Sequence, residues 1–196
     1  MNVTSFYSRR EFFKKYAELF SVLLPSLALG GIAPIAHGAS KRVSTLSDNP
    51  FTLGVASGDP TSDAVILWTR LAHEVLRDSN FEEQAVQVDY ELSESSNFQK
   101  IIRSGSIVAT PELGHSVHAD VRGLKPDQTY YYRWHIGGAT SQTGRAKTAP
   151  LASASKQEFR LAFASCQQFE HGYFTAYKHM AEENFDLIIY LGDYIY

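Results

Sequence analysis

Cysteine is almost missing from this sequence. Cys166 is the single one in 196 residues, so no internal disulfide can form. A strong charge of either sign is also missing: 18 basic and 21 acidic side chains leave a net charge of −3 at pH 7. Beyond residue 38 the balance is 14 basic groups against 19 acidic ones, and such a mildly acidic body offers no nucleic-acid-binding surface. It does suit a protein that gathers metal cations. The composition, 44% hydrophobic and 20% charged, excludes disorder, and 13 glycines with 7 prolines exclude a collagen-like repeat. Aromatic residues are plentiful instead. The 12 Phe, 11 Tyr and 2 Trp promise a packed core in a chain long enough for one or two domains.

The first 38 residues read as a secretory leader. Ser8, Arg9, Arg10, Glu11, Phe12, Phe13 and Lys14 resemble the twin-arginine translocation signal: serine before the arginine pair, phenylalanine two residues after it and lysine four after it. An apolar stretch follows over residues 19–36. Spanning a bilayer takes about 20 predominantly apolar residues, and Pro25, Gly30, Gly31 and Pro34 shorten the usable run, so no stable membrane anchor is expected. Ala36 and Gly38 flank His37 and place cleavage after Gly38. The resemblance implies passage through the twin-arginine translocase to the periplasm or the medium. That route carries proteins already folded, commonly around a cofactor, and so hints at a metal. A lone thiol sent to an oxidising compartment must be buried or ligated to escape damage, and Cys166 can be either.

Residues 39–148 predict a β-sandwich. Short apolar or alternating runs occupy residues 51–57, 64–69, 86–92, 101–108, 115–121 and 130–136, each bounded by turn residues such as Asp59-Pro60, Pro111, Pro126-Asp127 and Gly137-Gly138. Residues 72–83 are polar and weakly patterned and read as a loop. Tyr130, Tyr132 and Trp134 fall on one face of a period-two strand, which predicts core rather than an exposed carbohydrate platform. Leu124, Pro126 and Tyr130 resemble the turn that enters a tyrosine corner in fibronectin type III domains.

A small, polar linker covers residues 149–158, and residues 159–196 carry the chemistry. The apolar run 159–164 reads as a strand that exits through Ser165, Cys166 and Gln167. Tyr173, Phe174, Tyr177, Met180 and Ala181 form a helical stripe of packing groups closed near Asn184. Residues 186–191 are nearly uninterruptedly apolar, as in a parallel strand buried on both faces. Strand, helix and strand form one βαβ unit, so Cys166 and Asp193 emerge at the same carboxyl edge, where ligands bind in such sheets. Gly192 allows a sharp turn before Asp193, and Tyr196 lies three residues on. A carboxylate, a phenolate and a thiolate together suit a ferric ion, because hard anionic oxygens and a polarisable sulfur stabilise high charge. Each residue also has a plainer reading: Asp193 as a turn cap, Tyr196 as aromatic filling, Cys166 as a buried small hydrophobe. His171 and His179 have no spaced partner and are not ligand candidates.

Gly192, Asp193, Tyr194, Ile195 and Tyr196 resemble the GDxxY element of binuclear metallophosphoesterases such as purple acid phosphatases. Ala164, Ser165, Cys166 and Gln167 resemble the alkaline phosphatase D (PhoD-like) family, which has a cysteine there. That family combines a twin-arginine leader, a small sandwich with a Gly-Val-Ala-Ser-Gly-Asp-Pro segment, here residues 54–60, and a phosphatase domain. Residues 66–70 (Ile-Leu-Trp-Thr-Arg) match as well. The resemblance implies a fibronectin type III-like β-sandwich followed by the first βαβ unit of an α/β metallophosphoesterase domain. It implies Fe3+ and Ca2+ held by Cys166, Asp193 and Tyr196, and phosphate monoester and diester substrates hydrolysed by metal-activated water for phosphate scavenging. The alternative is a secreted binding or adhesion module using the sandwich alone. The resemblance also implies later metal-binding loops that this sequence does not contain. The expectation is therefore a fragment, inactive by itself, whose last strand leaves apolar faces open to water.

Overall fold

The structure is a computed structural model that describes residues 40–155, 158–168 and 170–196, which belong to one compact unit. The leader, residues 1–38, lies outside the described residues. Among these, no helix is long and apolar enough to cross a membrane.

Two antiparallel sheets form the sandwich. The first contains β1 (Val55–Gly58), β2 (Ala64–Arg70) and β5 (Ser116–Arg122) in the order β1-β2-β5. The second has β3 (Val86–Ser93) between β4 (Ile101–Ala109) and β6 (Thr129–Ile136), with β7 (Ala139–Thr140) and β8 (Gly144–Lys147) both pairing β6. Three strands against five, with no neighbouring pair parallel, is a fibronectin type III-like arrangement.

Period-two alternation sends Val65, Leu67, Val117, Ala119 and Val121 inward from the first sheet. Val86, Val88, Tyr130, Tyr132, Trp134 and Ile136 meet them from the second. Tyr130, Tyr132 and Trp134 are almost completely buried, as their spacing predicts, so they form no carbohydrate platform. At about 25 cal/mol per Å2, rings of this size each contribute roughly 4–6 kcal/mol of gross burial energy. The tyrosine corner is present: the Lys125 amide donates to Tyr130 Oη at 2.8 Å.

Two expectations are corrected. Residues 72–83 contain a helix, α1 (His73–Asp78), rather than loop alone; six residues are under two turns, too short for a visible period, and only Val75 and Leu76 are buried. The strand expected at residues 51–57 is a 3-10 turn, Phe51–Leu53, followed by β1.

After the linker come β9 (Leu161–Ala164), α2 (Thr175–Glu182) and β10 (Leu187–Tyr190). β9 and β10 are parallel neighbours, with Leu187 opposite Leu161 and Tyr190 opposite Ala164. Tyr173 precedes the helix and is 95% exposed, contrary to its place in the apolar stripe. Phe174 adopts φ 53° at the helix start, which breaks the period there, whereas Tyr177 packs edge-on against Tyr190 at 5.6 Å between centroids. Ile188, Ile189 and Tyr190 are exposed rather than buried on both faces, because two strands and one helix cannot cover a parallel sheet. This is the open apolar surface expected at the end of the sequence.

Candidate metal centre

Both strand exits turn abruptly. The ladder runs one step past the strands, with Leu191 N donating to Ala164 O at 2.9 Å and Cys166 N to Gly192 O at 3.1 Å. Gly192 has φ 113°, a conformation closed to L side chains although the space around it is empty, so glycine is required by dihedral rather than by packing. Cys166, Gln168 and Asp193 follow in left-handed conformations with φ 56°, 51° and 55°. Such residues cost about 1–3 kcal/mol each and cluster where side chains must be aimed.

The turns bring two of the sequence-designated residues face to face. Cys166 Sγ lies 3.9 Å from Asp193 Oδ2. That is too long for a strong hydrogen bond, yet ligands sharing one cation stand roughly 3–4 Å apart, given metal–sulfur and metal–oxygen lengths near 2.3 and 2.1 Å. Cys166 is exposed, which removes its reading as a buried hydrophobe. Ser165 Oγ sits 3.4 Å from the same sulfur.

Tyr196 joins the pair. Its phenol comes close enough to both that interaction with Cys166, some desolvation and the Asp193 charge push its pKa above the ordinary value of 10. Tyr196 is 70% exposed, so it is not aromatic filling either. Sulfur, carboxylate and phenol therefore converge at one sheet edge. Among the described residues no group of three or more His, Cys, Asp and Glu side chains gathers as for a metal ion. The cluster is two such residues plus a tyrosine. His179 pairs with Glu182 at 3.4 Å on the exposed helix, away from ligand chemistry.

The opposite end of β10 holds residues the sequence does not mark. Lys147 of β8 pairs with Asp186, whose Oδ2 also accepts the Arg160 amide at 2.9 Å. Arg145 donates to Phe185 O at 2.8 Å and to Asn184 Oδ1 at 2.5 Å. The partners of Lys147 and Arg145 lie 39 or 40 residues away in sequence, so no local pattern reveals them.

Comparison with known proteins gives the family. The family described as "PhoD-like phosphatase, N-terminal domain" matches residues 37–150, and "PhoD-like phosphatase" matches residues 161–196. Alkaline phosphatase D of Bacillus subtilis (strain 168) is 53% identical over 150 residues, which is 76% of this chain and 26% of that protein. A solved structure of PhoD, also 53% identical, superposes with a TM-score of 0.72 over 76% of this chain and 29% of that one. The chain thus spans about a quarter of the length of its relatives, and it belongs to the PhoD-like phosphatase family.

Proposed function

We propose that this chain serves metal-dependent hydrolysis of phosphate monoesters and diesters, with Cys166, Asp193 and Tyr196 as three of the metal ligands. The proposal includes export by the twin-arginine route, on the leader motif at residues 8–14, and a role in phosphate scavenging in the periplasm or the medium. The proposed domain division is a leader to residue 38, the sandwich over 39–148, a linker over 149–158 and the metal-binding unit from 159. The observation that carries the proposal is the approach of Cys166 Sγ to Asp193 Oδ2 at 3.9 Å.

The donor set fits the metals the family implies, Fe3+ and Ca2+. Three groups that are anionic when ionised stand together, a hard carboxylate and phenolate with a polarisable thiolate. When bound, the cations would supply charge that polarises a phosphate ester and lowers the pKa of water. Asp193 would hold the ions through its carboxylate, Tyr196 through its phenolate oxygen and Cys166 through a soft thiolate. The left-handed turns at 166 and 193 hold these groups in place before any substrate arrives. Three donors do not satisfy two cations, since calcium alone takes 6–8 oxygen ligands, so further ligands from outside these residues belong to the reading.

Fe(III) titration of the full chain tests this. The expected result is one tightly held ion with a phenolate-to-iron charge-transfer band, lost in Tyr196→Phe, and iron content reduced at least tenfold in Cys166→Ser and Asp193→Asn. Unchanged iron content in the last two variants overturns it. The adhesion reading has less support, because the aromatic residues it would use, Tyr130, Tyr132 and Trp134, lie in the core.

A further inference from the structure

Short apolar parallel strands specify their pairing poorly. β10 reads Leu-Ile-Ile-Tyr and β9 Leu-Ala-Phe-Ala, so a one-residue slip exchanges one apolar contact for another. The cost to the metal centre would be severe. A slip moves Asp193 by about 3.3 Å along the strand and turns it to the opposite face, away from Cys166. Something polar must distinguish the registers.

We infer that Asp186, clamped by Lys147 of the sandwich, sets the register of β10 against β9 and so positions Asp193; the consequence for the metal rests on the function proposed above. Asp186 grips one residue of the neighbouring segment twice. Its amide donates to Arg160 O at 2.9 Å, and its Oδ2 accepts from Arg160 N at 2.9 Å. Its other oxygen takes the Lys147 ammonium, which also approaches Asp127 Oδ1 at 3.4 Å. The Asp186 side chain is only 15% exposed and that of Lys147 26%. A slipped strand would put Phe185 or Leu187 in place of this carboxylate, leaving a half-buried ammonium with only the more distant Asp127 as counter-charge. Arg145 reinforces the position through Phe185 O and Asn184. Seven residues on, the same strand delivers Asp193. Asp186 and Lys147 are thus positioning residues, and the sandwich is the gauge against which the metal strand is aligned.

Amide hydrogen exchange on the full chain tests this without a metal. The amides of Leu191 and Cys166 bond Ala164 O and Gly192 O in this register alone. Lys147→Met and Asp186→Ala should speed exchange at both by at least tenfold, Lys147→Arg should stay within twofold of wild type, and the Trp134 amide, bonded to Ser141 Oγ, should not change. Unchanged exchange in Lys147→Met and Asp186→Ala overturns the inference, and so does equal acceleration at Trp134, which would mean general unfolding. If Asp186→Ala does not fold, Lys147→Met decides. Co(II) titration, followed by the thiolate-to-cobalt band, then reads the consequence as a tenfold weaker affinity in Lys147→Met. A wild-type chain with no such band would refute the metal centre while the exchange result still judges the register.

Discussion

The Tyr130 hydroxyl receives the Lys125 amide at 2.8 Å across the turn that enters β6, while its ring lies in the core. One side chain therefore fixes both the corner and the packing beneath it. Tyr130→Phe keeps the ring and orphans the Lys125 N–H. The expected loss is about 1–2 kcal/mol in urea unfolding, the penalty of an unsatisfied, partly buried donor, with an unchanged m-value. A variant as stable as wild type would show that water replaces the phenol.

Gly144 lies opposite Tyr132 in the β6–β8 pair, and the ring passes over it. A Cβ at 144 would stand 2.2 Å from Cζ of Tyr132. The ring is nearly fully buried and has nowhere to retreat, so Gly144→Ala should destabilise by about 1–3 kcal/mol through overpacking. Gly58 in β1 is the control. Nothing lies within 4 Å of its added Cβ, and Gly58→Ala should be neutral or stabilise by up to about 1 kcal/mol. Thermal or urea unfolding of the two variants compares them directly.

These two positions also show why some of the fold is legible in sequence and some is not. Tyr130, Tyr132 and Trp134 announce their strand because alternation and burial are local. Gly144–Lys147 does not announce β8: glycine, arginine, alanine and lysine are poor strand formers, and the segment is a strand because β6 pairs with it and Tyr132 needs a bare backbone opposite. In the candidate site, Cys166 and Asp193 stand out because each ends an apolar run that topology brings to one edge. Lys147 and Asp186 are 39 residues apart and are joined by tertiary packing alone.

Acid should weaken the sandwich through its outer face. Partial burial pushes the Glu91 carboxyl up, but hydrogen bonds from Arg133 and His135, at 2.9 and 3.2 Å, and their charges outweigh it and hold the pKa below the ordinary 4.5. A carboxyl depressed in the folded state contributes stability above its unfolded pKa, and that contribution disappears as pH falls from about 4.5 through the lower folded value. Glu91→Gln should therefore be less stable at pH 7, by no more than about 1 kcal/mol for so accessible a pair, and the gap should narrow as pH falls below about 4.5. Denaturant midpoints across that range check it. A constant gap between the two proteins would assign the acid sensitivity elsewhere.

Metal binding at the strand exits should appear as stability of the whole β9–α2–β10 unit. Cys166 and Asp193 sit on different strands with 26 residues between them, so a cation held by both closes that loop and favours the folded unit over any state in which the strands part. Binding only to the folded form stabilises by RT ln(1 + [L]/Kd), about 2.7 kcal/mol when free metal is 100 times Kd. Saturating Fe(III) or Co(II) should accordingly raise the unfolding midpoint of this segment and slow exchange of the Leu191 and Cys166 amides, and a chelator should reverse both changes. Asp193→Asn should abolish the metal-dependent increment while leaving the sandwich transition where it was, because no residue of β1–β8 belongs to the donor set. A midpoint equally raised in Asp193→Asn would place the cation elsewhere, since the asparagine keeps the shape of the side chain and removes only its charge.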